Sequence, residues 1–252
     1  MTTLDRLYAR YDTHYARMQN EAPDWDAGER EPGRHAARRP WLPARRDAAI
    51  LDVGCGQGRQ LFELWCAGYR DLEGIEISEA QASAARKAAA GRVRIHLGEA
   101  GSFLAGRTQC YDLVILNDVL EHLPLEAGAA LLRAMHDALR PGGTVVVRTP
   151  NMATLGAAWS RYLDLTHVLG FTEYSLVQLL EDAGFAEVRF YRDSLQWRWR
   201  HWRPWSPLRG LPWKGWLNRA VHRLVHWLRA QRPAPREFDY NLEAFARRPP
   251  AR

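Results

Sequence analysis

The feature that most constrains this 252-residue chain is the run Leu51-Asp52-Val53-Gly54-Cys55-Gly56-Gln57-Gly58. A buried strand runs straight into a turn with glycine at every second position. Glycine reaches positive φ without strain and lets a ligand approach bare backbone. A glycine turn that opens a helix presents unpaired N–H groups to a polar ligand. About 20 residues on, a second strand ends at Glu76, where a carboxylate can accept hydrogen bonds from both hydroxyls of a ribose. A glycine turn alone is a weak signal. A strand, a glycine turn and an acid at the next strand end, in register, point to a nucleoside site. The spacing G-x-G-x-G differs from the G-x-G-x-x-G of dinucleotide sites.

The rest of the chain alternates between strand and helix patterns. Strands are expected at 49–53, 72–77, 93–97, 111–116, 144–148 and 187–191. Helices are expected at 60–67, 79–90, 128–139 and 175–183. Such alternation implies a parallel sheet covered on both faces. Residues 1–20 carry apolar residues at helical spacing, and 20–47, rich in Pro, Gly and charge, read as a loop or connector. The region 193–236 breaks the rhythm with Trp and Arg, and a last strand is expected at 238–246. The expected organisation is an N-terminal helix and connector (1–47), a core (48–192) with an acceptor loop at 151–174, a basic Trp-rich insertion (193–236), and a final strand and tail (237–252).

Four blocks, LDVGCGQG at 51–58, GIEIS at 74–78, YDLVILNDVLEHLP at 111–124 and LRPGGTVVVRTPN at 139–151, resemble the class I S-adenosylmethionine (SAM) dependent methyltransferases in order and spacing. The resemblance implies an α/β, Rossmann-like, seven-stranded and mostly parallel sheet with helices on both faces. Its last strand would be antiparallel, with the Trp-rich insertion before it. It implies SAM as cofactor. Gly54, Gly56 and Gly58 would face its methionine part, and Glu76 would hold the ribose. Ile77 would pack on the adenine, and Glu99, with Ala100 beside it, would meet the adenine amine. The backbone of Asn117 would lie near the amino-acid end, and Asp52 would stabilise the loop or reach the amino group through water. The EH pair Glu121-His122 recurs in many relatives, and His122 reads first as a residue holding its loop.

Methyl transfer from a sulfonium needs mainly an aligned nucleophile, and a hydroxyl acceptor also needs a base. His167, in the loop before the helix at 175–183, is the candidate base, and Asp164 would orient it or bind the acceptor. A structural His bonded to backbone is the competing reading. The run DLTHVLGFT followed by SLVQLLEDAGF is similar to a subgroup associated with bacterial cell-envelope glycans. This implies O-methylation of a hydroxyl on a glycan, itself lipid-linked in the membrane reading. A quinone precursor or other small phenol, and a non-catalytic SAM-binding or membrane adaptor, stay as alternatives. No metal-ligand cluster is evident. Cys55 reads as a packing residue, not a nucleophile.

Charge and composition bear on partners. The net charge is +6 and the pI about 9.5, a balance that favours acidic partners. Residues 197–229 hold seven of the eleven tryptophans. From Trp213 an apolar stripe (Trp216, Leu217, Val221, Leu224, Leu228) lies opposite Lys214, Arg219, His222, Arg223, His226 and Arg229, as in an interfacial membrane helix. The segment 197–230 therefore reads either as an anionic-membrane contact or as a helix packed on protein with its cations in water. Nucleic acid is the lesser reading, because the stripe is continuous. Three cysteines without zinc spacing, and an N-terminus too charged for a signal peptide, suit a cytoplasmic protein lying on the inner face of a membrane. Oligomeric state stays open.

Overall fold

The computed structural model describes residues 6–7, 22–192, 213–230 and 232–250. The helix expected over 1–20 and the WRWRHWRPW stretch lie outside the described residues, apart from residues 6 and 7. Seven strands form one sheet: β1 (Ile50–Val53), β2 (Leu72–Glu76), β3 (Arg94–Leu97), β4 (Tyr111–Asn117), β5 (Leu139–Pro150), β6 (Ala186–Tyr191) and β7 (Asn241–Arg247). Their order is β3-β2-β1-β4-β5-β7-β6. The pairs from β3 to β5 are parallel, and β7 runs antiparallel between β5 and β6. This is the expected Rossmann-like sheet with an antiparallel closing strand.

The strands alternate their side chains between two apolar layers. Leu51, Val53, Val114, Leu116, Val145 and Val147 pack on one face, while Ile50, Leu113, Ile115 and Val146 pack on the other. Each of these large side chains contributes about 1.5–3 kcal/mol when fully buried. The first layer is covered by α6 (Leu125–Ala138) and α8 (Glu173–Asp182). The second is covered by α3 (Arg59–Cys66) and by the N-terminal helix α1 (Trp25–Arg30), while α2 (Pro32–His35) buries no residue and sets its His35 ring 5.3 Å from that of Phe62. The segment expected as a connector is thus part of the core. Trp25 meets Phe62 and Trp65 edge-on, and Trp41 is buried and donates from Nε1 to Glu243 at 2.7 Å. Its Pro, Gly and charge content hid two anchoring tryptophans.

The remaining helices are α4 (Glu79–Ala89), α5 (Ala100–Leu104), α7 (Ala157–Leu163) and α9 (Trp213–Leu228). Local chemistry sets their ends. Ser78 caps α4, which stops as Ala90 and Gly91 turn left-handed. Thr172 and Ser175 form a reciprocal capping box at the start of α8, and Gly184 follows its end at φ +95. The sequence pattern did not foresee α5 or α7, which are too short to show a period.

Candidate active site

The strand order reverses between β1 and β4, so a crevice opens beyond their carboxyl ends. The glycine turn lies on one side. Gly54, Gly56 and Gly58 all take positive φ, at +69, +52 and +83. The N–H groups of Gly54 and Cys55 both donate to the Ile75 carbonyl, at 2.8 and 3.2 Å, pinning the turn to β2. The fit is close, since a Cβ on Gly54 would stand 2.4 Å from Val119 Cγ2. Cys55 fills the gap against Gly74, and burial pushes its thiol well up, which leaves no thiolate nucleophile at neutral pH.

Glu76 ends β2 as expected, nearly buried. Its Oε2 accepts from Gly56 N at 2.8 Å and its Oε1 from Ser78 N at 2.9 Å. The carboxylate therefore ties the glycine turn to the strand end, and each oxygen keeps a further lone-pair direction for a ligand hydroxyl. Next to it Ile77 is 71% exposed, an apolar surface on which a flat ring can lie. Glu99 caps α5, accepting from Gly101 N at 2.7 Å and Ser102 N at 2.6 Å, and these bonds hold its pKa below the usual carboxylate range. A contact from Glu99 to an adenine amine thus falls to lone pairs left over by the cap. Ala100 is the first residue of that helix.

Asn117 closes β4, with its side-chain amide 3.3 Å from Gln60 Oε1. Asp118 follows at φ +54, ion-paired to Arg148. Asp52 is buried beneath the turn. Burial pushes its carboxyl up to about 8, with Arg148 opposing and Glu76 adding to the rise. The donor set fits SAM. The acids at the crevice, Glu76 and Asp118, suit a cationic sulfonium and amine, Asp52 beneath them is held mostly protonated by burial, and Ile77 offers the apolar patch that an adenine needs.

The acceptor loop folds against the end of β4. A 3₁₀ turn, Leu120–His122, follows Asn117, and the Glu121 carbonyl accepts from Val168 N at 2.8 Å and Leu169 N at 3.0 Å. The rings of His122 and His167 meet edge to face, 4.6 Å between centres. His167 Nδ1 lies 3.1 Å from the Ser160 carbonyl. Asp164 does not orient His167 through a side-chain bond, contrary to one sequence expectation. Its Oδ1 instead accepts from Thr166 N at 2.8 Å and Thr166 Oγ1 at 2.7 Å, and Thr166 Oγ1 lies 2.8 Å from His122 Nδ1. The Ser160 carbonyl is the group that sets the His167 ring. Burial lowers the pKa of both rings, that of His122 to about 4, despite the raising effect of Asp164.

Glu121, read from sequence only as half of an EH pair, is buried, and burial raises its carboxyl to about 8. One ligand-capable atom each of Glu121, His122 and His167 lies within 4.8 Å of the others, a grouping that could hold a metal ion and that the sequence did not bring together. The signal lay in topology. An EH pair lies in the turn after β4 and a lone His follows the neighbouring β5, with His122 and His167 45 positions apart along the chain, so spacing alone does not join them.

Helix α9 shows the largest departure. Its buried residues are Gly215, Arg219, His222 and His226, and its apolar stripe faces outward. The polar side docks beside the acceptor loop. Leu155 N donates to His222 Nε2 at 2.9 Å, His226 Nε2 lies 3.1 Å from the Ala153 carbonyl, and Asn218 Nδ2 donates to the Phe238 carbonyl at 2.7 Å. A groove of about 700 Å³, lined by Leu155, Trp213, Leu217, Val221 and Tyr240 among others, runs between helix and loop. Trp159, Tyr162 and Leu165, each about 70% exposed, extend the apolar surface across the acceptor loop. No helix among the described residues is long and apolar enough to cross a membrane.

Comparison with known proteins agrees with this geometry. The fold matches a SAM-dependent methyltransferase from Archaeoglobus fulgidus (TM-score 0.61, 18% identity, 94% of this chain and 99% of that one). It also matches the 1,6-didemethyltoxoflavin-N1-methyltransferase of Burkholderia thailandensis, solved with bound 1,6-didemethyltoxoflavin and S-adenosylhomocysteine (TM-score 0.55, 18% identity, 98% of this chain and 87% of that one). Among curated proteins, the ribosomal protein L11 methyltransferase of Thiobacillus denitrificans is 36% identical over 110 residues, 42% of this chain and 34% of its own length. The tRNA U34 carboxymethyltransferase of Vibrio cholerae is 27% identical over 166 residues, 62% of this chain and 50% of its own length. The chain thus spans a third to a half of these relatives. A methyltransferase-domain family profile matches residues 27–189, the stretch that holds the glycine turn, Glu76 and the His122–His167 pair. With that match over more than half its length, the chain belongs to this family of methyltransferase domains.

Proposed function

We propose that the enzyme O-methylates a sugar hydroxyl of a lipid-linked glycan at a membrane surface. One observation carries the membrane part: α9 turns Trp216, Leu217, Leu224, Trp227 and Leu228, each more than half exposed, away from the protein and beside the acceptor loop. An apolar patch of this kind marks an interaction surface. The exposed Lys214, Arg223 and Arg229 flank it and suit an anionic leaflet. The DLTHVLGFT run supports the glycan part.

SAM, when bound, supplies a methyl group already activated by its sulfonium. In this reading Gly54, Gly56 and Gly58 hold its methionine part, Glu76 the ribose and Ile77 the adenine. Glu99 and Ala100 bound the adenine edge, the Asn117 backbone lies at the amino-acid end, and Asp52 reaches the amino group through water. His167 is neutral at pH 7, because burial lowers its pKa. With the Nδ1 proton on the Ser160 carbonyl, its Nε2 carries the lone pair that takes the acceptor's hydroxyl proton. Asp164 acts one step away, holding Thr166 and through it His122.

The test incubates the full chain with methyl-labelled SAM and, separately, envelope lipid extract, quinone-precursor phenols, total RNA and ribosomal protein. Label in a solvent-extractable glycolipid is the expected result. Label in the phenol moves the acceptor to that class. Label in RNA or ribosomal protein, the acceptor classes in the curated relatives' names, overturns the proposal, and label in none favours a SAM-binding adaptor.

A further inference from the structure

We propose that Glu121, His122 and His167 bind one divalent transition-metal ion of the zinc or iron(II) class. The proposal goes beyond the acceptor reading and stands on the three side chains alone. One ligand-capable atom of each lies within 4.8 Å of the other two. Glu121 is 1% exposed, and neither carboxylate oxygen makes a hydrogen bond of ordinary geometry, the nearby Thr149 hydroxyl giving at most a loose one. The neighbouring Thr149 hydroxyl, also buried, makes no bond of ordinary geometry either. A carboxylate removed from water without a partner is costly, and buried polar groups are almost always satisfied. A cation coordinated by the Glu121 oxygens resolves that imbalance.

The histidines are prepared for the same role. Thr166 donates its hydroxyl proton to Asp164 Oδ1, so the Thr166 oxygen accepts from His122 Nδ1–H. His167 Nδ1–H donates to the Ser160 carbonyl. Both tautomers are thereby fixed with the lone pair on Nε2, the arrangement that outer-shell bonds give to metal-bound histidines. Two imidazoles and one carboxylate suit zinc or iron(II), whereas magnesium and calcium prefer oxygen donors throughout. Three protein ligands would leave further positions of such an ion open to water or a substrate oxygen. A cation on His167 Nε2 would take up the lone pair that the base role needs; it would then lower the pKa of a bound acceptor hydroxyl, whose proton would pass to solvent water.

The test uses chelator-treated full-length protein titrated with cobalt(II), followed by its visible d–d absorption, with zinc(II) as competitor. The expected result is saturable binding of about one equivalent, displaced by zinc and not by excess magnesium. Glu121→Gln and His167→Gln should each weaken cobalt affinity about tenfold or more, and Thr166→Val should weaken it through His122. SAM affinity by calorimetry, unchanged in the variants, reports an intact fold. His167→Gln, at a half-buried position, carries the test if Glu121→Gln does not fold. Wild-type protein that binds SAM but shows no saturable cobalt band, displacement by magnesium, or variants that bind cobalt as the parent does, would overturn the proposal. The readout needs neither SAM turnover nor acceptor, so it stands or fails separately from the O-methylation reading.

Discussion

Replacing Gly54 with Ala tests how the cofactor crevice is built, and its effect divides into two parts. At φ +69 an L-residue is strained by about 1–2 kcal/mol. The added methyl also lands 2.4 Å from Val119 Cγ2, so Val119 must retreat by roughly 1 Å to restore ordinary contact. Overpacking of this kind typically adds about 1–3 kcal/mol. The expected loss in urea-unfolding stability is therefore about 2–5 kcal/mol. Val119 follows Asn117 and Asp118, which line the crevice, so its movement also disturbs the ligand side. SAM affinity by calorimetry should fall about tenfold or more, which corresponds to about 1.4 kcal/mol. The two parts separate in a double-mutant cycle. In a Val119→Ala background the steric part vanishes, and Gly54→Ala should cost only the backbone term of about 1–2 kcal/mol, a coupling of about 1–3 kcal/mol. An equal penalty in both backgrounds would refute the steric argument. Unchanged SAM binding by the single variant would refute the placement of the site.

Asp52→Asn should alter the pH dependence of stability. The Asp52 carboxyl titrates near 8 in the folded protein and near 4 when unfolded, so its contribution is full below pH 4 and is lost as pH rises toward 8. Urea midpoints should show the variant gaining on wild type across that window while binding SAM more weakly, and parallel pH profiles would count against the buried acid. Thr172→Ala removes the cap that starts α8 and should lower stability by about 1 kcal/mol with SAM affinity unchanged, as urea titration and calorimetry would report. Changing Trp216, Leu224 and Trp227 together to Ser should abolish flotation with anionic liposomes while SAM binding persists. Retained flotation would remove α9 from the membrane contact.

Much of this molecule is legible along the chain because each signal is local. The glycine turn needs positive φ at three places, and residues 51–58 supply glycine at all three. Glu76 is readable as the acid that ends the next strand, and Gly184 as the stop after α8. What spacing hides is adjacency. Nothing near His167 names His122 as its neighbour, because the two are joined only when β4 and β5 lie side by side. The Asp164–Thr166–His122 relay is hidden for the same reason. Polar composition obscured the N-terminal segment, where two large anchors, Trp25 and Trp41, outweigh the Pro, Gly and charge around them.

Helix α9 shows a different limit, that periodicity identifies a face without saying which way it points. The expectation that cations meet water follows from desolvation, and here directional bonds override it. The bonds of Asn218, His222 and His226 to residues 153–155 and 238 are joined by one from Arg219 to the Arg236 carbonyl at 2.5 Å, with the guanidinium over Phe238. Each such bond is worth a net of about 0.5–1.5 kcal/mol. Glu237, 4.0 Å away, offsets part of the cost of burying the Arg219 charge, although Nη1 makes no hydrogen bond. With that side fixed, the stripe from Trp213 to Leu228 has to face outward, and it forgoes the 1.5–3 kcal/mol or so that burial would give each large side chain. A lipid surface returns that stabilisation without disturbing the bonds underneath. Because those bonds end on residues 153 and 155, whatever covers the stripe also bears on the start of the 151–174 loop, and under the proposed function binding at α9 and acceptor placement would share one set of contacts.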